Sequence, residues 1–173
     1  SDLNYASVVS NYASVISATA LTFLSPKVLR VQNTQSTAGS ALVDISGLAL
    51  TVAAGETWEV EGLLMLSTSA ATVGLKVGTS VPVLSLPRFI EFTRLSAGQS
   101  AGIIGGGGLM QVSGTSQFLS AANAGGVIFG VRYAGVFNVA SAGTFRIMYG
   151  GTASTAASPV HIMQGSYMKA IKI

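Results

Sequence analysis

The stretch Thr144-Phe145-Arg146-Ile147-Met148-Tyr149 decides the fold class. Phe145, Ile147 and Tyr149 fall on one face, and Thr144, Arg146 and Met148 on the other. A period of two with large apolar groups on one side marks a half-buried strand. The pattern returns from Tyr167 to Ile173, where Tyr167, Lys169, Ile171 and Ile173 alternate with Met168, Ala170 and Lys172. A strand in that place is held only by pairing inside a sheet, because terminal segments otherwise fray. Gly150 to Pro159, between the two, is almost entirely Gly, Ala, Ser and Thr. It has no periodicity and no large group to bury, so it is predicted to cross from one sheet to another.

Upstream, the same alternation recurs. Val127, Phe129, Val131 and Tyr133 predict a strand that continues through Gly135 to Val139. Trp58 and Val60 are expected to face inward, with Thr57, Glu59 and Glu61 outward, and the run continues through Leu63, Leu64, Met65 and Leu66. Leu42 to Val52 reads as a strand with a bulge or bend at Gly47. Lys27 to Gln32 is a strand, Asn33 to Ser40 a polar loop, and Val73, Leu75 and Val77 a short strand. Val81 to Pro87 carries two prolines, which suit a sheet edge or a connection. Arg88 to Leu95 is mixed on both faces, as at an interface or edge. Shorter strand-like pieces follow at Leu109 to Val112 and Gln117 to Leu119. Roughly ten short strands, with turn signals between them and no helical segment to make parallel crossovers, predict an all-β antiparallel β-sandwich of jelly-roll type. The predicted core strands carry Trp58, Val60, Phe129, Val131, Phe145, Ile147 and Ile171.

Composition narrows what such a body does. The chain has 173 residues, 49% of them hydrophobic and 9% charged, where ordinary soluble domains are about a quarter charged. Its surface must therefore be neutral Ser, Thr and Gly, or be covered by other chains. Mean hydropathy is +0.59, yet polar residues interrupt every run well short of the roughly 20 apolar residues of a spanning helix, so no membrane insertion is expected. There is no cysteine, which excludes disulfides and thiolate metal sites. The net charge of +3 comes from cations scattered singly along the strands. Nucleic-acid binders cluster theirs on one face, so no nucleic acid is expected as a partner.

Catalytic and metal chemistry needs ionisable groups that converge, and here they are few. His161 is the sole histidine, Asp2 and Asp44 the sole aspartates, and Glu56, Glu59, Glu61 and Glu91 the glutamates. His161 has no second His or Cys to share a metal and no positioned acid for a serine triad. Glu59 and Glu61 share one strand face, which suits solvent or a cross-strand ion pair better than a glycosidase pair. The run Gly105 to Gly108 lacks the Lys-Ser/Thr of a phosphate loop. The expectation is a protein that is not an enzyme and takes no cofactor.

Residues 1–26 stand apart. Asn4-Tyr5-Ala6-Ser7-Val8 returns as Asn11-Tyr12-Ala13-Ser14-Val15, placing Tyr5, Val8, Val9, Tyr12, Val15 and Ile16 at offsets of three and four. These would line one apolar face of a helix, with Asp2 at its cap. The Ser, Thr, Val and Tyr content favours an extended strand as readily. No Lys or Arg precedes Lys27, so the segment does not read as a secretory leader. It is expected to serve as an anchoring or self-association arm on a domain spanning 27–173.

Several stretches resemble the small β-sandwich domain at the C-terminal end of many tailed-bacteriophage virion proteins, including tail-fibre tips and head decorations. They are Asp44-Ile45-Ser46-Gly47-Leu48-Ala49-Leu50-Thr51-Val52 and Ala53-Ala54-Gly55-Glu56-Thr57-Trp58-Glu59-Val60-Glu61-Gly62. A third is Ser67-Thr68-Ser69-Ala70-Ala71-Thr72-Val73-Gly74-Leu75-Lys76. The closing pair is Ala142-Gly143-Thr144-Phe145-Arg146-Ile147 and Gln164-Gly165-Ser166-Tyr167-Met168-Lys169. The match runs in order over about residues 27 to 173, and Val81 to Ala124 departs from it. The resemblance implies a homotrimeric structural domain on the exterior of a virion. The lack of a long shaft favours a capsid decoration that binds and stabilises the head, with the major capsid protein as partner. The alternatives are a short tail-fibre or baseplate protein attached to a tail component and binding a host receptor, and a free trimeric jelly-roll lectin.

Overall fold

Alternating apolar positions require two sheets that press their inner faces together, and the strand order meets that requirement. A computed structural model of the chain describes residues 25–95, 118–119, 126–152 and 155–173. The arm residues Tyr5, Val8, Val9, Tyr12, Val15 and Ile16, the Gly105 to Gly108 run and the piece Leu109 to Val112 lie outside the described residues. The strands are β1 (Lys27–Arg30), β2 (Gln35–Thr37), β3 (Val43–Val52), β4 (Thr57–Thr68), β5 (Leu75–Ser80) and β6 (Leu84–Leu95). They continue as β7 (Phe118–Leu119), β8 (Phe129–Val139), β9 (Gly143–Gly151), β10 (Val160–Ile162) and β11 (Tyr167–Lys172).

The smaller sheet has the order β3-β9-β5-β7. In the larger, β4 is central: β8 and then β6 lie on one side of it, and β11 and β10 on the other, flanked by β1 and β2. All pairings are antiparallel. From β3 to β9 the described strands alternate between the sheets, the connectivity of a jelly-roll sandwich.

Two of the larger sheet's positions are split strands. β10 and β11 run along the same side of β4, interrupted at Met163 to Ser166 where Gly165 takes a φ of 89°. The buried Ser166 hydroxyl holds the break closed. It accepts a hydrogen bond from the Met65 amide at 2.9 Å and donates one to the Met163 carbonyl at 2.9 Å. β1 and β2 break at the same level, with Val31 N–H donating to the Ser166 carbonyl and Gly165 N–H to Val31.

Asn33 to Ser40, expected as a loop, contains the strand β2, and β10, which was not expected, follows directly on the connection Gly150 to Pro159. Each is three residues long, too short to show a period. The side-chain amide of Gln35 bonds both the N–H and the C=O of Ser46 in β3, at 2.9 and 2.8 Å. That joins the edges of the two sheets on this side. Ser46 sits in the bulge of β3, where Gly47 has a φ of 92° and a Cβ would lie 2.5 Å from the Arg30 carbonyl oxygen.

The core lies between the sheets. Trp58, Val60, Leu64 and Leu66 of β4 and Phe129, Val131, Tyr133 and Phe137 of β8 are buried against Phe145, Ile147 and Tyr149 of β9 and Ile45, Leu48 and Leu50 of β3. Phe137 and Phe145 stack across the gap, with ring centroids 4.8 Å apart and planes 19° apart. Each large side chain buried in this way contributes about 1.5–3 kcal/mol.

Ile171, expected in the core, is half-buried on the outer face, opposite Glu59. The β11 register turns Met168 and Ala170 inward and leaves Lys169 and Ile171 outside. Val127 is also exposed, because β8 begins only at Phe129. Of the prolines of Val81 to Pro87, Pro82 precedes β6 and Pro87 lies within it, where the strand's ladder with β8 slips between Ser85 and Arg88. β6 is an edge strand among the described residues, the position in a sheet that tolerates proline.

Candidate interaction surface

The ionisable residues are dispersed over the body. Among the described residues no group of three His, Cys, Asp or Glu side chains comes together. His161 sits on β10 between β2 and β4, its Nδ1 2.7 Å from Ser36 Oγ and its Nε2 2.9 Å from Ser69 Oγ. Hydroxyls occupy both ring nitrogens and no carboxylate orients the ring, so the arrangement lacks the orienting acid of a triad. A hydroxyl donates or accepts as required, and the imidazole ties β10 to β2 and to the residue that follows β4 in either tautomer.

Glu56, Glu61 and Asp44 are likewise engaged in structure. Glu56 closes the turn after β3, where Gly55 has a φ of 81°. Its Oε2 accepts the Ala53 amide at 2.7 Å and the Trp58 indole N–H at 2.9 Å, and Lys172 Nζ lies 2.9 Å from Oε1. Partial burial pushes this carboxyl up, but the Ala53 amide, Lys172 and Trp58 together outweigh it and hold the pKa down at about 2. The ammonium of Lys27 covers the same indole, 5.1 Å from the ring centroid, a cation–π contact. Glu61 pairs across the strand with Lys169 at 3.0 Å, and Asp44 with Arg146 at 3.3 Å.

The two outer faces of the sandwich differ. Cross-strand partners share a face, so the outer face of the smaller sheet follows from its register. It presents Ala49, Arg146 and Ser80 in one row, Thr51 and Thr144 in another, and Asp44, Met148 and Gly78 in a third. These are small or polar, Met148 excepted. The larger sheet presents Leu95, Gly130 and Met65, then Thr93, Arg132, Leu63, Tyr167 and Arg30. The next rows are Glu91, Ala134, Glu61, Lys169 and Val28, and then Phe89, Val136, Glu59 and Ile171.

Within this face Phe89, Leu95, Val28 and Tyr167 are exposed by 42, 46, 50 and 38%. Gly130 lets the side chains of its two neighbours close over it. A Cβ there would lie 3.2 Å from Leu63 and 3.4 Å from Leu95. Glu91, Thr93, Leu95 and Arg132 line a shallow depression at the β6 side.

No family model matches the sequence, and no curated protein matches it. Among solved structures, the chain is similar to a structure of infectious bursal disease virus, Gt strain. The TM-score is 0.47 and the identity 12%, over 86% of this chain and 33% of that one. A second is a subviral particle of the VP2 protein of infectious bursal disease virus, at a TM-score of 0.28 and 8% identity over 86% of this chain and 37% of that one. The chain spans about a third of the length of these proteins. The strand order, and not this likeness, makes the body a jelly roll.

Sequence reasoning placed Trp58, Val60, Phe129, Val131, Phe145 and Ile147 on core strands, and all six are buried. It did not assemble the outer face of the larger sheet. One signal was available in Leu63-Leu64-Met65-Leu66, a run apolar at every position. Leu64 and Leu66 point into the core while Leu63 and Met65 stand outside. Strands apolar on both sides are those covered on both sides.

Proposed function

We propose that the chain is a structural protein of a bacteriophage virion, a trimeric decoration that sits on the outside of the head, binds the major capsid protein and stabilises the shell. The observation that carries this reading is the outer face of the larger sheet, which holds large exposed apolar groups on a chain with only 9% charged residues. Such a surface suits permanent contact with other chains better than bulk water. The ordered resemblance of residues 27 to 173 to tailed-phage β-sandwich domains supplies the virion context. The engagement of His161, Glu56, Glu61 and Asp44 in holding strands and turns supports a binding role over a catalytic one.

Removing the protein from purified particles tests the reading. The expected result is a head that breaks at lower temperature or lower osmotic stress, with adsorption to host cells unchanged. Lost adsorption with sound heads would overturn it in favour of a tail-fibre or baseplate protein.

A further inference from the structure

We infer that the outer face of the larger sheet is where one copy of this chain meets another. The inference deepens the oligomeric part of the reading above and rests on it. β4 is apolar on both sides along Leu63 to Leu66, although only its inner side meets the core. Its outer side continues sideways into Leu95 over Gly130 and into Tyr167, so the apolar positions form a connected surface. In its described rows the opposite sheet carries one large apolar side chain, Met148, among small or polar ones. The larger sheet's face is therefore the one that calls for cover.

Area and charge point to a copy of the same chain. Five strand positions at a spacing of about 4.8 Å, over a β4–β8 ladder about 33 Å long, give a face of about 800 Å². A stable specific interface takes about that much from each partner.

Glu61 and Lys169 neutralise each other on this face. The other charges described there are two acids, Glu59 and Glu91, and two cations, Arg30 and Arg132, which form no ion pair among the described residues. A partner of one sign would oppose only half of them. A second copy brings both signs in equal number, so that acids of one copy can face cations of the other.

The test is sedimentation equilibrium on the full chain and two variants, with thermal melting to show that each is folded. Phe89→Lys with Leu95→Glu alters two exposed residues of the face without changing net charge. Thr51→Lys with Thr144→Glu alters two outer-face residues of the opposite sheet, also without changing net charge. The wild-type chain and the second variant are expected at a multiple of 17.5 kDa, and the first variant at 17.5 kDa. If the first variant does not melt cooperatively, Phe89→Ser alone, at a position already 42% exposed, is expected to weaken association at least tenfold. A face variant that keeps the wild-type mass, or a smaller opposite-face variant, would overturn the inference. Because no particle enters this experiment, its outcome is separate from that of the virion reading.

Discussion

Replacing Gly62 with alanine is expected to be among the most damaging single-methyl changes in the molecule. Gly62 lies on the inner side of β4, paired with Tyr133 of β8 and Met168 of β11. An added Cβ would stand 2.2 Å from the Tyr167 carbonyl oxygen and 2.5 Å from both Cζ and Oη of Tyr133. Neither neighbour yields easily. The first is backbone in a paired strand, and the second is a ring 1% exposed whose hydroxyl donates to the Tyr167 carbonyl at 3.2 Å. Burial, with a smaller contribution from Tyr167, raises the Tyr133 phenol well above its ordinary range and keeps it a donor.

Overpacking of a filled core costs about 1–3 kcal/mol, and the lost hydrogen bond adds about 1 kcal/mol. Gly62→Ala should therefore destabilise by about 3 kcal/mol. For a chain of this length that lowers Tm by about 6–12 °C. Urea unfolding of Gly62→Ala, Tyr133→Leu and the double variant gives the coupling between the two sites. The double variant is expected to be at least about 1 kcal/mol more stable than the sum of the single losses. A Gly62→Ala protein within about 0.5 kcal/mol of wild type, or additive losses, would refute the packing described for β4, β8 and β11.

Three further outcomes are expected. The Glu56 carboxyl is held at about 2 against an ordinary 4.5, so its contribution is complete above about pH 4.5 and is lost as pH falls from there through about 2. After allowance for screening at Lys172 it is on the order of 1–2 kcal/mol. Glu56→Gln should remove that part of the acid sensitivity in melts between pH 2 and 6, and an unchanged acid limb would contradict the assignment. Ser166→Ala strips the Met65 amide of its acceptor at a fully buried position, for a loss of about 1–3 kcal/mol by urea unfolding; no loss would mean that the split between β10 and β11 is held by other contacts. Phe137→Ala removes one ring of the stack that spans the sheets and should cost about 3–5 kcal/mol, a drop under 1 kcal/mol showing that the sheets are held elsewhere.

The long strands were legible because their side chains alternate strictly. Phe145, Ile147 and Tyr149 and the pair Trp58 and Val60 announce both a strand and its buried face. Gly47 and the two prolines of Val81 to Pro87 likewise marked the bulge and the strand that is an edge among the described residues. What the sequence did not disclose depends on partners distant along the chain. β2 and β10 exist because each lies beside the other, with Gln35 reaching Ser46 and His161 reaching Ser36 and Ser69. Three residues have no period of their own to show this. Ile171 alternates correctly, yet which face of β11 turns inward is set by the register with Glu59 and Glu61. The outer face of the larger sheet was visible only piecemeal, in the mixed faces of Arg88 to Leu95 and the unbroken apolar run of β4. Register with β8 and β11 joins them into one surface.

The central claim is that this sandwich covers the outer side of its larger sheet with another copy of itself. The molar mass of the unaltered full chain by light scattering, followed through serial dilution, tests it most directly. The account predicts a multiple of 17.5 kDa that falls toward 17.5 kDa only on dilution. A constant 17.5 kDa at every concentration, from a protein that melts cooperatively, would contradict it.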